Sequence, residues 1–141
     1  MKKITALTVI AISITLAANS QKISASRVPS VVRSSFAHQF PGVKANWEKE
    51  RGSYEAGFRM QGHNHSAMFS KDGVMTESEI EIKVAMLPGP AKEYIKKHKS
   101  GVVKSAAKIT KASGEVEYEA ELLGRDLLFD PNGKFLREVK N

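Results

Sequence analysis

The residues best able to do chemistry sit in one short stretch, Gln61-Gly62-His63-Asn64-His65. On an extended strand, two histidines two positions apart point to the same face. Such a pair can hold Zn or Cu weakly, whereas a structural zinc asks for four ligands. The other histidines, His38 and His98, are remote in sequence. Three readings of the stretch stay open. It is a polar hairpin tip, a weak metal site at His63 and His65, or a partner contact made by Gln61, His63, Asn64 and His65. Binding residues concentrate on loops that rigid strands hold out.

Carboxylates are the other plentiful reactive group. Glu115, Glu117, Glu119 and Glu121 alternate with Val116, Tyr118, Ala120 and Leu122, and Glu77, Glu79 and Glu81 alternate with Ile80 and Ile82. Strict alternation is the pattern of a strand with one packed face and one wet face. The glutamates are therefore read as a solvated outer face with lysine or arginine in reach, and no acid–base pair with divergent pKa values is expected. The chain has no cysteine, and it lacks a Gly-x-Ser-x-Gly elbow, a phosphate-cradling glycine loop and a His-Glu-x-x-His helix. The expectation is a non-enzymatic protein without a cofactor, with His63 and His65 as the one alternative metal site.

The elements that position these residues occur twice. Tyr54-Glu55-Ala56 leads to Phe69-Ser70-Lys71-Asp72-Gly73, and Tyr118-Glu119-Ala120 leads to Phe129-Asp130-Pro131-Asn132-Gly133. Upstream, Val28-Pro29, Phe36 and Gly42-Val43 share their mutual spacing with Leu87-Pro88, Ile95 and Gly101-Val102. Self-similarity over most of a chain argues for a tandem duplication. Val32, Phe36 and Phe40 recur every fourth residue, which predicts a helix with one apolar stripe, ended by Pro41-Gly42. Ala91 and Ile95 repeat it, with Lys92, Lys96, Lys97, His98 and Lys99 crowding the far end. Strands are expected over 44–51, 54–60, 63–70 and 74–84. Gly52-Ser53 is read as the first hairpin turn, so that Trp47 faces Phe58. In the second half, a Ser113-Gly114 turn sets Ala112 opposite Glu115, Ile109 opposite Tyr118 and Lys108 opposite Glu119, a cross-strand charge ladder.

Residues 1–20 form a separate unit. Lys2 and Lys3 precede an apolar run from Ile4 to Ala18, and small residues follow it. The run falls short of the roughly 20 apolar residues that span a bilayer. It reads as a secretory signal peptide cut after Ser20, leaving no stable membrane anchor and a periplasmic or secreted protein. Its removal takes two lysines and no acid, so the charge falls from +7 to +5. That is basic, but without the dense footprint of a nucleic-acid binder, and no nucleic-acid partner is expected. An exported chain without cysteine must be held by packing alone.

These motifs, from Pro29 to Phe36, Phe40-Pro41-Gly42-Val43, the two Tyr-Glu-Ala strands and the two Phe-x-x-x-Gly turns, resemble the PepSY-like family of exported bacterial modules. That family is similar in architecture to the beta-lactamase inhibitor proteins. The resemblance implies an α+β fold of two tandem α-β-β-β-β repeats, over 28–84 and 87–141. Their antiparallel sheets would lie side by side, with one helix per repeat packed on one face. It also implies a module that binds or inhibits a protein or peptide target in the cell envelope. The disulfides of the lactamase inhibitors are absent, and Gln61-Gly62-His63-Asn64 stands where they carry an acidic and aromatic tip, so lactamase inhibition is not implied.

Overall fold

The computed structural model describes residues 20–98 and 101–141. The expected signal peptide lies outside the described residues apart from Ser20, and so does Lys99. Nine antiparallel strands form one sheet whose spatial order follows the chain: β1 (Gln21–Ile23), β2 (Asn46–Glu50), β3 (Ser53–Met60), β4 (His63–Phe69), β5 (Met75–Ile82), β6 (Ser105–Lys111), β7 (Val116–Leu122), β8 (Arg125–Phe129) and β9 (Phe135–Lys140). Helix α1 (Ser30–Gln39) interrupts the chain between β1 and β2, and α2 (Gly89–Lys97) interrupts it between β5 and β6. The class is α+β. Strand β1 and the short 3-10 turns Ala25–Arg27 and Val84–Met86 before the helices were not legible in the sequence.

Each helix buries its stripe on one side of the sheet. Val32 and Phe36 of α1 pack with Trp47, Tyr54, Ala56, Phe58, Ala67 and Phe69. Ala91 and Ile95 of α2 pack with Ala106, Ala120, Leu122, Leu127 and Phe129. Pro29 and Pro88 stand at the helix entrances, where a missing N–H costs nothing.

The turns correct two expected registers. Arg51 and Gly52 both have positive φ, 46° and 84°, so they are the central residues of the first hairpin turn, and Glu50 pairs with Ser53. Trp47 therefore lies opposite Ala56, not Phe58. A slip of two residues leaves every side chain on its expected face. The β6–β7 turn differs by one residue. Gly114 N–H donates to Lys111 O at 2.8 Å, Lys111 N–H donates to Glu115 O at 2.9 Å, and Gly114 has φ 86°. This is a three-residue loop with its glycine in the left-handed region. Ile109 consequently pairs with Glu117, and Lys108 pairs with Tyr118. The expected Lys108–Glu119 ladder does not form.

The β4–β5 and β8–β9 turns anchor the helices. Each follows a bulge, at Met68/Phe69 and Leu128/Phe129, and each ends in a glycine with φ 83° or 82°, Gly73 or Gly133. A Cβ on Gly133 would stand 2.7 Å from Ala91 N and 3.0 Å from Cβ of both Pro88 and Pro90. The turn thus lies against the first turn of α2, closer than any side chain allows. Gly133→Ala should cost about 2–3 kcal/mol from left-handed strain plus a backbone clash. Gly62→Ala, with φ 83° but open space around it, should cost only about 1 kcal/mol. Equal urea midpoints for the two variants would remove the docking explanation.

Candidate functional site

The face of the sheet that carries no helix collects ten of the chain's 15 acidic residues. Glu48 and Glu50 lie on β2, Glu55 on β3, Glu77, Glu79 and Glu81 on β5, Glu117, Glu119 and Glu121 on β7, and Asp126 on β8. The registers place them in rows. Glu48 is opposite Glu55, Glu55 opposite Met68, Met68 opposite Glu77 and Glu77 opposite Lys111, while Glu121 is opposite Asp126. The expectation of a fully wet glutamate face is overturned. Glu50, Glu79, Glu117, Glu119 and Asp126 are buried, as are Ala107, Ile109 and Leu128 among them. The sheet carries two bulges, at Met68/Phe69 and Leu128/Phe129, features that bend and twist a strand locally.

Two neighbouring glutamates of β7 have opposite environments. Glu117, 2 % exposed, accepts two hydrogen bonds from Arg137, at 3.0 and 2.7 Å, and one from Lys111 Nζ at 2.7 Å. Arg137 and Lys111 hold its carboxyl below the usual range against the opposing effect of burial. Glu119, two residues on and also 2 % exposed, has an oxygen, Oε2, without a hydrogen-bond partner among the described residues. Burial first, then the charges of Asp126, Glu121 and Glu77, push its pKa up to about 8. Glu79 Oε1 is likewise buried without a partner, and burial followed by the charge of Glu119 raises its pKa well above the ordinary value. Burial, with Glu48 and Glu50 nearby, pushes Glu55 up to about 7. Buried carboxyls with too few donors keep their protons instead of their charges.

The hairpin residues singled out in the sequence are divided between faces. Gln61 and Gly62, with φ 52° and 83°, form the two-residue turn between β3 and β4. His63 and His65 pair with Met60 and Phe58 on the helix side, where the His65 ring stacks on Phe58 at 5.3 Å. Burial lowers the His65 pKa. Asn64 points the other way. It donates to Glu81 Oε2 at 2.5 Å, and Arg59 donates to its Oδ1 at 3.5 Å and to Gly62 O at 3.0 Å. The two histidines share a face as expected, but Asn64 belongs to the acidic face. Among the described residues, no three His, Asp or Glu side chains gather closely enough to hold a metal ion. His98 is occupied at the end of α2, stacked on Tyr94 with ring centroids 4.0 Å apart.

The buried glutamates were visible in the sequence only as alternation, which says that two faces differ and not which is dry. A signal was present in the turn: a glycine third in a three-residue loop sets the opposite parity.

No family model matches the chain, and no curated protein matches it in sequence. Its fold, however, is shared by solved structures. A candidate periplasmic protein from Bacteroides eggerthii superposes with a TM-score of 0.68 at 18% identity, over 80% of this chain and 88% of that one. A DUF2874 family protein from Bacteroides uniformis gives 0.67 at 16% identity, over 79% and 88%. A BLIP-like protein from Bacteroides fragilis gives 0.59 at 19% identity, over 80% and 88%. The chain therefore has the BLIP-like architecture, a single antiparallel sheet with both helices on one side.

Proposed function

We propose that this chain is an exported, non-enzymatic binding module that takes a basic protein or peptide segment on the acidic face of its sheet. The single observation that carries the reading is charge segregation. A chain of net charge +7 gathers two-thirds of its acidic residues on one helix-free face. Burial holds protons on Glu55, Glu79 and Glu119, so the charge offered to a partner is that of the more open members, Glu48, Glu81 and Glu121. Like charges repel, and an opposite charge brought to them is favourable. Asn64 extends the face to the hairpin tip, leaving His63 and His65 on the far side. Export to the periplasm or medium is supported by the leader-like residues 1–20 and by the fold shared with the candidate periplasmic protein; no described helix is long and apolar enough to cross a membrane. A metal-binding role for His63 and His65 is the lesser reading, since no third ligand stands beside them among the described residues.

Two PepSY-like repeats, over 28–84 and 87–141, belong to the same proposal. Ile23 opposite Trp47 and Ile82 opposite Ala106 occupy matching registers, and Gly73 and Gly133 each lie against the start of their helix, at Val31 and at Pro88, Pro90 and Ala91. Strand β5 then closes the first repeat, and β9 closes the second.

Fluorescence anisotropy with a lysine-rich and a glutamate-rich peptide of equal length tests the binding face. The lysine-rich peptide should bind, should weaken as salt is added, and should weaken about tenfold in Glu48→Lys with Glu81→Lys. Equal affinity for both peptides, or no effect of the double variant, would rule the acidic face out.

A further inference from the structure

The two halves fill the space beneath their helices differently. Under α1, Phe36 packs with ring centroids 5.3 Å from Phe40, 5.4 Å from Trp47 and 5.2 Å from Phe58. Under α2 the corresponding register positions hold smaller groups. Ala106 pairs with Ile82 where Trp47 pairs with Ile23, Leu122 lies two residues past the partner of Ala106 where Phe58 lies two past the partner of Trp47, and Ile95 replaces Phe36. Three aromatic residues of the second half contact one another instead, Tyr94 stacked on Phe135 and both edge-on to Phe129. A groove of about 490 Å³ lies beside Ile95.

Its lining is apolar except at one flank. Val84, Leu87, Ile95 and Val103 form the floor and walls, and Lys92 and Lys96 stand along one side. Lys92 and Lys96 are four residues apart on α2, so they project from the same helix face. Lys92 Nζ donates to Ala85 O at 3.0 Å, which holds it against the groove wall, while Lys96 is exposed. Met86 and Val102, next in the chain to lining residues, leave 66% and 85% of their surface open to water.

From this geometry we infer that the groove binds a free single-chain amphiphile with an anionic head, of the class of a long-chain carboxylate. The volume falls in the range of small-molecule sites. Among the described residues, the side chains that line it offer donors but no acceptors, since a lysine ammonium accepts nothing. An aliphatic tail meets the apolar floor, and its carboxylate meets the two ammonium groups. The site is on the opposite side of the sheet from the acidic face, so either can fail without the other.

The test is calorimetric titration of the full chain with dodecanoate below its micellar concentration. Dodecyltrimethylammonium, the same tail under a cationic head, is the comparison. Dodecanoate should give a saturable one-site isotherm and the cationic amphiphile none. Lys96→Glu should weaken dodecanoate about tenfold, and Val103→Trp, which fills the groove, should abolish binding while leaving the lysine-rich peptide unaffected. Circular dichroism confirms that both variants are folded; exposed Lys96 is tolerant of change. The inference is overturned if dodecanoate does not saturate, if both amphiphiles bind alike, or if both variants bind as the parent does. Sedimentation of the protein with phosphatidylglycerol vesicles, without binding of free dodecanoate, would also overturn it, in favour of a membrane surface.

Discussion

Truncating Phe36 to alanine should lower the stability of the protein by about 3–5 kcal/mol, at the upper end of that range. Phe36 is 5% exposed and stands at the hub of the first core. Its ring meets Phe40, Trp47 and Phe58 within 5.4 Å and Phe69 at 6.3 Å. Three of these pairs are edge-on or nearly so, a geometry that adds to the burial of the ring. Four rings then lose one neighbour together, and a strand and a helix cannot both close on the space. Ser34→Ala, on the exposed side of the same helix, should change stability by less than about 0.5 kcal/mol. Urea unfolding of the two variants checks the contrast. Equal midpoints would mean that α1 does not anchor the first half of the sheet.

The second large effect is on pH dependence: stability should fall as pH rises from about 5 to about 9. In the folded protein, Glu119 keeps its proton to about pH 8 and Glu55 to about pH 7, and Glu79 is raised as well. In the unfolded chain all three release it near the ordinary carboxyl value of about 4.3. Between those limits the folded state binds more protons than the unfolded one, so the slope of stability against pH is negative. The contribution is present in full below the unfolded value and gone above the folded one. For Glu119 each pH step between the unfolded and folded values removes about 1.4 kcal/mol. Glu117 has the opposite sign. Its depressed carboxyl contributes above the ordinary value, and the contribution is lost as acid protonates it. The optimum should therefore lie in mildly acid solution. Glu119→Gln should match the parent near pH 5 and exceed it near pH 9. A urea midpoint that stays flat from pH 5 to 9 would contradict the buried, proton-holding carboxyls.

How far these features could be read beforehand differs between the two. The four-residue spacing of Val32, Phe36 and Phe40 has one physical meaning, an apolar helix stripe, and Phe36 was legible as an anchor. The glutamates of β7 were not, because their reading depended on a single turn. Taking Ser113-Gly114 as a two-residue turn places Ile109 beside Tyr118 and the acids in water. Adding Ala112 to the loop places Ile109 and Ala107 on the same face as Glu117 and Glu119, where all four are buried. Period-two patterns are symmetrical under that slip, and only the backbone of Gly114 breaks the tie. The same limit applies at the hairpin tip. The common face of His63 and His65 followed from parity, but which side of the sheet it was did not. Val74, the first residue of the strand expected over 74–84, is 59% exposed, and β5 begins only at Met75, beyond the turn.

The strands lie side by side in the order in which they are made. Every strand pairs with its predecessor, and only β2 and β6 wait for a helix to be formed first. The chain lengths that must close into loops are therefore short almost everywhere, and the entropy lost in closing them is small. Folding rate should be set by the two long closures, β1 to β2 across α1 and β5 to β6 across α2, the second of which joins the halves. A chain that emerges from its N-terminal end, from a ribosome or through a pore, never has to hold an early strand open for a late one. Each new segment meets its partner already in place, and the bare edges at any moment are only those of β1 and of the newest strand.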